Sequence, residues 1–499
     1  KYVSAAALAR HAGYDAVEIQ AAHGSTIVQH FISSYTNKRT DDYGGDINGR
    51  VRLAVEIVEK IKKRLGDFPV LCRINGEDHI EGGNTLDDAK IVAKRLEAAG
   101  VDALNISSGS PWTPKSYRYG MPPVGMPFGF NVPSAAAIKK IVNIPVIVGG
   151  RIKYPELAEK ILLEGSADLV AMGRVQLADP EFCNKVREGR LDEIRYCIGC
   201  LQECEADFGV RVKCGLNPEV GREKEYAITQ ADKPKKVLIV GGGPGGLEAA
   251  RVASLRGHEV ILVERSNELG GQLRLQAAIP FKKEFIDAVN YFVGQMSKLG
   301  VEVQLGTECT PSLVEKISPD VIIFATGVRP MIPSIPGASK PHVTTAWDVL
   351  RTNGNVIQSN NTIIVVGGES VGCETAEFIS NIGKKVTIVD SRPKPAVASD
   401  LAPNVRMMLL EKLDEKGVEI LTSLNVQEIT DEGVIAADSS GKTQTVSGDA
   451  VVLSLRLPEG SLREQLADKV EETYSVGDCV APRRIIDATS GAAFVARRI

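Results

Sequence analysis

The first 190 residues alternate short apolar runs with longer amphipathic ones. The runs 15–19, 69–74, 103–107, 145–148 and 169–172 are of strand length and end at Gly or polar residues. Between them, residues 50–65, 86–99, 135–141 and 155–164 repeat apolar positions at helical spacing. Strand–helix repetition predicts a parallel sheet, and so an α/β fold. Gly149, Gly150 and Gly173 stand at strand ends, as in a (β/α)8 barrel with its chemistry at the C-terminal strand ends. Only five units are legible, and closure takes eight. The reading is therefore a partial (β/α)8 TIM barrel with its N-terminal strands missing. The opening residues 1–7 read as the middle of an amphipathic helix without an initiator Met, so the chain is expected to start inside a domain.

The second half has another rhythm. Two strand–Gly turn–helix units begin at Val237 and Ile363, about 125 residues apart. They resemble each other and predict two Rossmann-like nucleotide-binding domains. The expected organisation is 1–190 barrel part, 191–222 Cys-rich segment, 233–345 first nucleotide domain, 346–460 second nucleotide domain and 461–499 a return to the first.

Composition narrows the classes. Net charge is −4 over 499 residues with no long run of one sign, which argues against nucleic acid or an anionic membrane as partner. No run of 18 apolar residues predicts a membrane span. Four of the nine Cys fall in one window, as Cys197-x2-Cys200-x3-Cys204-x9-Cys214. Clustered Cys without a secretory context reads as metal binding in a reducing cytoplasm, not as a disulfide framework. Four thiolates suit a four-iron cluster or tetrahedral zinc, and the spacing leaves both open. Oligomeric state is open too.

The first loop carries Gly241, Gly243 and Gly246 as GxGxxG between a strand and a helix. These supply the tight turn, the close approach to pyrophosphate and the helix–strand packing. Glu264 ends the next strand, placed for ribose hydroxyls. Gly271-Gln272, Thr326-Gly327 and Gly477-Asp478 complete a set that reads as FAD binding. The second loop keeps Gly367 and Gly372 but has Glu369 at the second fingerprint position, adding bulk and like charge near phosphate. Asp390 ends its second strand and favours the free 2′-hydroxyl of NADH, against which Arg392 and Lys394 pull. The reading is NAD(P)H with NADH favoured.

In the barrel part, residues 17–25 (Val-Glu-Ile-Gln-Ala-Ala-His-Gly-Ser) and 37–45 (Asn-Lys-Arg-Thr-Asp-Asp-Tyr-Gly-Gly) closely resemble the old yellow enzyme barrel. Residues 145–152 and 171–174 look like its FMN phosphate loops. With the Cys cluster and two nucleotide domains attached, the chain resembles the multidomain NADH:flavin oxidoreductase branch of 2,4-dienoyl-CoA reductase, trimethylamine dehydrogenase and the bile-acid flavin oxidoreductases. The resemblance implies FMN held at its phosphate by Gly150, Arg151, Gly173 and Arg174, with Arg73 at its pyrimidine edge. It implies His23 and Gln20 at the substrate carbonyl. Redox motifs on both sides of the Cys cluster then select a 4Fe-4S centre over zinc. The implied path runs from NADH through FAD and the cluster to FMN, and on to the activated C=C bond of an enoyl or dienoyl small molecule, a CoA thioester among the candidates. Two positions depart from the pattern. Gln20 stands where His or Tyr is frequent, and Ser25 stands where a proton-donating Tyr is usual. Ser is a weaker acid and shorter, so the donor becomes His23, Tyr35, Tyr117, Tyr119 or water, or the reaction runs as an amine- or steroid-type oxidation. A non-catalytic electron-transfer subunit is the third reading.

Overall fold

The computed structural model describes residues 1–205, 211–466 and 469–499, so part of the Cys-rich segment and of the final segment lies outside the described residues. Two compact units emerge, Lys1–Gly173 and Arg174–Ile499.

The first unit opens with helix α1 (Tyr2–His11) and strand β1 (Val17–Ala21). Then come α2 (Ile27–Ile32), α3 (Ile47–Leu65), β2 (Val70–Asn75), α4 (Leu86–Ala98), β3 (Ala103–Ser107), α5 (Pro114–Gly120), α6 (Val132–Lys139), β4 (Val146–Val148), α7 (Pro155–Leu163) and β5 (Leu169–Val170), and α8 (Gly173–Ala178) starts at the unit's last residue. The strands form one sheet in the order β1-β2-β3-β4-β5, and every pairing is parallel. Each predicted strand is present within two residues of its expected start and end. The short helices α2 and α5 follow strand ends, where the apolar period is too brief to read.

Local signals explain the helix ends. Asp46 accepts from the Asn48 and Gly49 amides at the start of α3, and Thr85 with Asp88 forms a capping box on α4. One sheet face is apolar. Ile19, Cys72, Leu104 and Val146 share one register row, and Ala21, Ile74, Ile106 and Val148 the next. All eight are buried against the helices, at about 1.5–3 kcal/mol for each large aliphatic side chain. Period-two alternation then forces Gln20, Arg73 and Asn105 together onto the opposite face.

The second unit holds, in chain order, β6 (Lys236–Val240), β7 (Glu259–Val263), β8 (Glu302–Gln304), β9 (Val321–Phe324), β10 (Val328–Pro330), β11 (Val343–Thr345), β12 (Thr362–Val366), β13 (Lys385–Asp390), β14 (Glu419–Thr422), β15 (Asn425–Thr430), β16 (Gly433–Ala437), β17 (Thr443–Ser447), β18 (Ala450–Leu453), β19 (Arg456–Pro458) and β20 (Glu472–Ser475). Ten of them build two five-stranded parallel sheets, β20-β9-β6-β7-β8 and β11-β18-β12-β13-β14, and the rest form two small antiparallel sheets, β10-β19 and β15-β16-β17. The central strands β6 and β12 are apolar on both faces, as strands covered on both sides must be. β20 comes from the last 30 residues and pairs with β9, so the C-terminal segment completes the first sheet.

Candidate functional site

The opposite face of the first sheet is polar where the apolar one is not. Gln20, Arg73 and Asn105 are direct register partners on β1, β2 and β3. Each has one buried polar atom without a protein partner: Gln20 Oε1, Arg73 Nε and Asn105 Oδ1. A buried unpaired polar group costs about 1–3 kcal/mol. Three in one row describe an edge built to receive a flat ligand that both donates and accepts. Their other atoms are fixed. Asn105 Nδ2 donates to Glu18 Oε2 at 2.9 Å, and Arg73 Nη2 donates to Ser107 Oγ at 3.1 Å.

His23 lies just beyond β1 with φ at +62°, a left-handed conformation that a non-glycine residue adopts only when held. The holding bond is its amide donating to Asn75 Oδ1 at 3.2 Å. Asn75 in turn donates to buried Asp78 at 2.8 Å and to the Gly109 carbonyl at 3.1 Å. The imidazole Nε2 meets Ser107 Oγ at 2.8 Å. Ser107 accepts from Arg73, so its hydroxyl proton is free for Nε2, leaving the imidazole proton on Nδ1. Burial first, then the Arg73 cation, lowers the His23 pKa to about 3. The ring is thus neutral across the ordinary pH range. Ser25, two residues on, is exposed.

This shift has a sign that can be checked. Below about 6.5 the unfolded chain takes up a proton on His23 that the folded chain refuses, so stability is complete above 6.5 and falls as pH drops toward 3. His23→Gln is expected to flatten the acid limb of a denaturant-melt series between pH 7 and 4.5. Equal slopes for both proteins would contradict the buried neutral ring.

Gly150 (φ +123°) and Arg151 (φ +52°) form the turn after β4. Asn131 Nδ2 donates to the Gly149 carbonyl at 3.0 Å and steadies this turn. Arg151 Nη1 donates to the Pro123 carbonyl at 2.7 Å, and its guanidinium lies 4.8 Å from the centre of Phe128. Gly173 opens α8 at the end of the first unit, and Arg174 follows it as the first residue of the second unit.

In the second unit the four clustered Cys are close enough to act on one another. Cys200 is held far above its ordinary pKa by burial first, then by Cys214, Cys204 and Cys197. Burial likewise pushes Cys204 up to about 12, with Arg174 pulling it down. Backbone amides oppose these shifts, Gln202 at Cys200, and Leu216 and Asn217 at Cys214. The Gly199 N–H also reaches Cys197 Sγ at 3.5 Å. Amides aimed at crowded, desolvated sulfurs suit thiolates, and a bound cation is what makes thiolates out of such groups. As they stand, no three His, Cys, Asp or Glu side chains among the described residues converge on a single ion position. The Cys segment is tied to helix Ile485–Ala496. Thr489 Oγ1 donates to the Gly215 carbonyl at 2.9 Å, the Ile486 amide donates to Gln202 Oε1 at 3.0 Å, and Arg484 pairs with Glu203 at 2.7 Å.

That helix also packs on helix Pro244–Leu255, which starts at the first Gly loop. At Gly243 a Cβ would meet nothing within 4 Å, so the loop is open there. At Gly246 a Cβ would collide with the Gly241 carbonyl oxygen. Both partners are backbone, so neither can yield. Gly246→Ala is expected to cost about 2–3 kcal/mol and to lower FAD retention, read by thermal melting and by flavin released per chain. Unchanged melting with full FAD content would remove the packing argument. Glu264 accepts from the Gly242 amide at 2.7 Å and from Ser266, and retains lone pairs for a ribose. Gln272 Nε2 donates to Asp478 Oδ2 at 3.3 Å, joining two predicted positions 206 residues apart. Gly271 caps the helix that Gln272 begins, Gly477 opens the turn holding Asp478, and the Thr326 hydroxyl donates to the Glu459 carbonyl beside Gly327.

The second loop borders a cavity of about 460 Å³ lined by Gly367, Glu369, Asp390, Arg392, Ser454 and Arg456, among others. Gly372 packs against the Gly367 carbonyl as Gly246 does against Gly241. Asp390 accepts from the Gly368 amide at 2.7 Å and from Arg392 Nη2 at 2.7 Å. Glu369 pairs with Arg392 at 3.2 Å and with Arg456 at 3.1 Å. Asp400 accepts from the Ser370 amide at 2.9 Å and from its hydroxyl at 2.6 Å. The sequence reading missed Asn105, Ser107, Arg456 and Asp400. Asn105 and Ser107 had a legible signal, since polar residues at alternate positions of an otherwise apolar strand mark a ligand face. Arg456 and Asp400 had none, because they reach the loop only through tertiary folding.

A polar ligand edge on a parallel α/β sheet, joined in one chain to two Gly-loop nucleotide folds, defines a flavin-dependent oxidoreductase. Residues 1–193 match the NADH:flavin oxidoreductase / NADH oxidase family, and residues 235–493 match the pyridine nucleotide-disulphide oxidoreductases. The chain is 41% identical to an NADH oxidase of Thermoanaerobacter brockii, over all of this chain and 77% of that protein. It is 35% identical to a cinnamate reductase of Clostridium sporogenes, over 99% of this chain and 76% of that protein. A solved complex of 2-naphthoyl-CoA reductase with 2-naphthoyl-CoA superposes with a TM-score of 0.94 at 32% identity, covering 100% of this chain and 75% of that one. The chain belongs to the NADH:flavin oxidoreductase / NADH oxidase family, in its multidomain old yellow enzyme branch, and is an enzyme with FMN-type and FAD/NAD(P)-type modules. Among the described residues no helix is long and apolar enough to cross a membrane.

Proposed function

We propose that this chain is an NADH-dependent reductase of an activated C=C bond conjugated to a carboxylate or thioester carbonyl, with an aryl-acrylate or its CoA thioester as the substrate class. The observation that carries the reading is the row Gln20–Arg73–Asn105 with its three unpartnered buried atoms. When bound, the flavins and an iron–sulfur centre supply hydride and single-electron exchange between nicotinamide and substrate. The residues supply the rest. Gln20, Arg73 and Asn105 would hold the FMN pyrimidine edge, with Gly150, Arg151 and Gly173 at its phosphate. Cys197, Cys200, Cys204 and Cys214 would hold the cluster, and the Gly241–Gly246 loop the FAD pyrophosphate. His23, neutral and protonated on Nδ1, would donate a hydrogen bond to the substrate carbonyl as charge builds there. Ser25 does not protonate carbon in this reading, and α5 brings the other donors near. Gly120 at its end lies against His23 Nδ1, and Tyr117 and Tyr119 are carried on the same helix, the Tyr119 ring stacked on His79 at 3.6 Å.

The experiment is an anaerobic titration. NADH is expected to bleach the flavin absorbance, and cinnamate or cinnamoyl-CoA to restore it with one dihydro product per NADH. An enzyme left unbleached by NADH but bleached by a secondary amine would overturn the reading. One observation favours that second, amine-oxidising reading: Glu369 and Asp400 place carboxylates where a dinucleotide's phosphates are expected.

A further inference from the structure

The cavity beside the second Gly loop has an ionic arrangement that a plain fingerprint loop lacks. Glu369 has φ at −71° and an extended ψ, an ordinary backbone conformation, so nothing in the chain geometry excludes a side chain there. That side chain reaches Arg392 on one side and Arg456 on the other. Arg456 is 13% exposed and Glu369 44%, so the guanidinium is anchored and the carboxylate is free to swing outward. Asp390 fixes Arg392 from behind, at Nε and at Nη2. Asp400 stands 3.8 Å from the same Arg456 nitrogen that Glu369 pairs with. The local ledger is three carboxylates against two guanidiniums, a net of −1 in a site meant for an anion. Without the Glu369 charge it is neutral.

We propose that Glu369 is an internal occupant of the place the dinucleotide's pyrophosphate takes, and that Arg456 and Arg392 pass from its carboxylate to the phosphates when nucleotide binds. This rests on reading the second loop as a nucleotide site. Arg456 is then a phosphate-binding cation supplied by β19, with Glu369 keeping it desolvated and in position. The carboxylate sets a threshold on affinity. A ligand lacking the diphosphate, such as nicotinamide mononucleotide, cannot compete for both arginines.

Calorimetry with the holoenzyme, using NAD⁺ and ADP-ribose as probes, tests this. Glu369→Gln and Glu369→Gly are expected to bind both about tenfold more tightly than the parent chain, and Arg456→Met about tenfold more weakly. In Arg456→Met the added Glu369→Gln change is expected to gain less than it does alone, because the two charges act as a pair. If the parent binds NAD⁺ and neither Glu369 variant binds more tightly, the proposal fails while the nucleotide site stands. If no protein in the set binds either probe and NADH does not bleach the parent, the reading of the loop fails and the proposal with it.

Discussion

Cys200→Ser is expected to drop bound iron from about four atoms per chain to below one and to slow NADH-dependent reduction of cinnamate at least a hundredfold. The reason lies in how this thiol is kept. Cys200 is largely desolvated, and three neighbouring sulfurs oppose its ionisation. Such a group stays protonated unless a cation takes the charge, and a serine hydroxyl is both harder and far less acidic. FAD content and NADH-driven reduction of a small dye should stay within about threefold, because the Gly241–Gly246 loop is built from other residues. Metal analysis and parallel dye and cinnamate assays decide it. Full iron content in the variant would remove Cys200 from the ligand set. Zinc in place of iron in the parent chain would replace the cluster by a structural ion.

Arg73→Met is expected to lower cinnamate reduction by about a hundred- to a thousandfold. Met keeps the volume and loses the cation and its fork of donors. Burial opposes the Arg73 charge and Glu18 supports it, so the guanidinium is already held at a cost that a ligand can recover. The change also leaves Ser107 without its donor and so loosens the Nε2 contact of His23. Arg73→Lys should recover only part of the rate, since a point charge cannot copy the planar donor set. Two readouts separate a flavin-edge role from a merely structural one. The Met variant should show a more negative flavin midpoint potential, because the anionic reduced ring loses its cation, and it should melt within a few degrees of the parent. An unchanged potential with a large fall in melting temperature would make Arg73 a structural ion.

How much of this was readable in advance differs by element. The strands were legible because a buried parallel strand needs an apolar run, and 103–107 coincides with β3 end to end. The Gly loops were legible because turn, pyrophosphate approach and helix packing each demand glycine at a fixed offset. The four Cys were legible by clustering. The reading also placed Gln20, Arg73 and His23 individually, through the motif they resemble. It did not place Asn105 or Ser107 with them: their polar alternation along β3 was legible, but which residues of β1 and β2 they face is set by register, a relation between strands.

Sequence alone thus determined the class of the protein: parallel α/β units, a thiol cluster and two nucleotide loops, all written in local spacing. Tertiary structure decided what those parts do to one another. It lined up Gln20, Arg73 and Asn105 across three strands, desolvated His23 until it stayed neutral, and tied Gln272 to Asp478 across 206 residues. It also brought Arg392 and Arg456 onto Glu369, turning an apparent flaw in a fingerprint into an ion pair at the mouth of a cavity. The physical reason is the same in each case. Burial, pKa and ion pairing depend on the groups that surround a residue in space, and those neighbours come from distant parts of the chain.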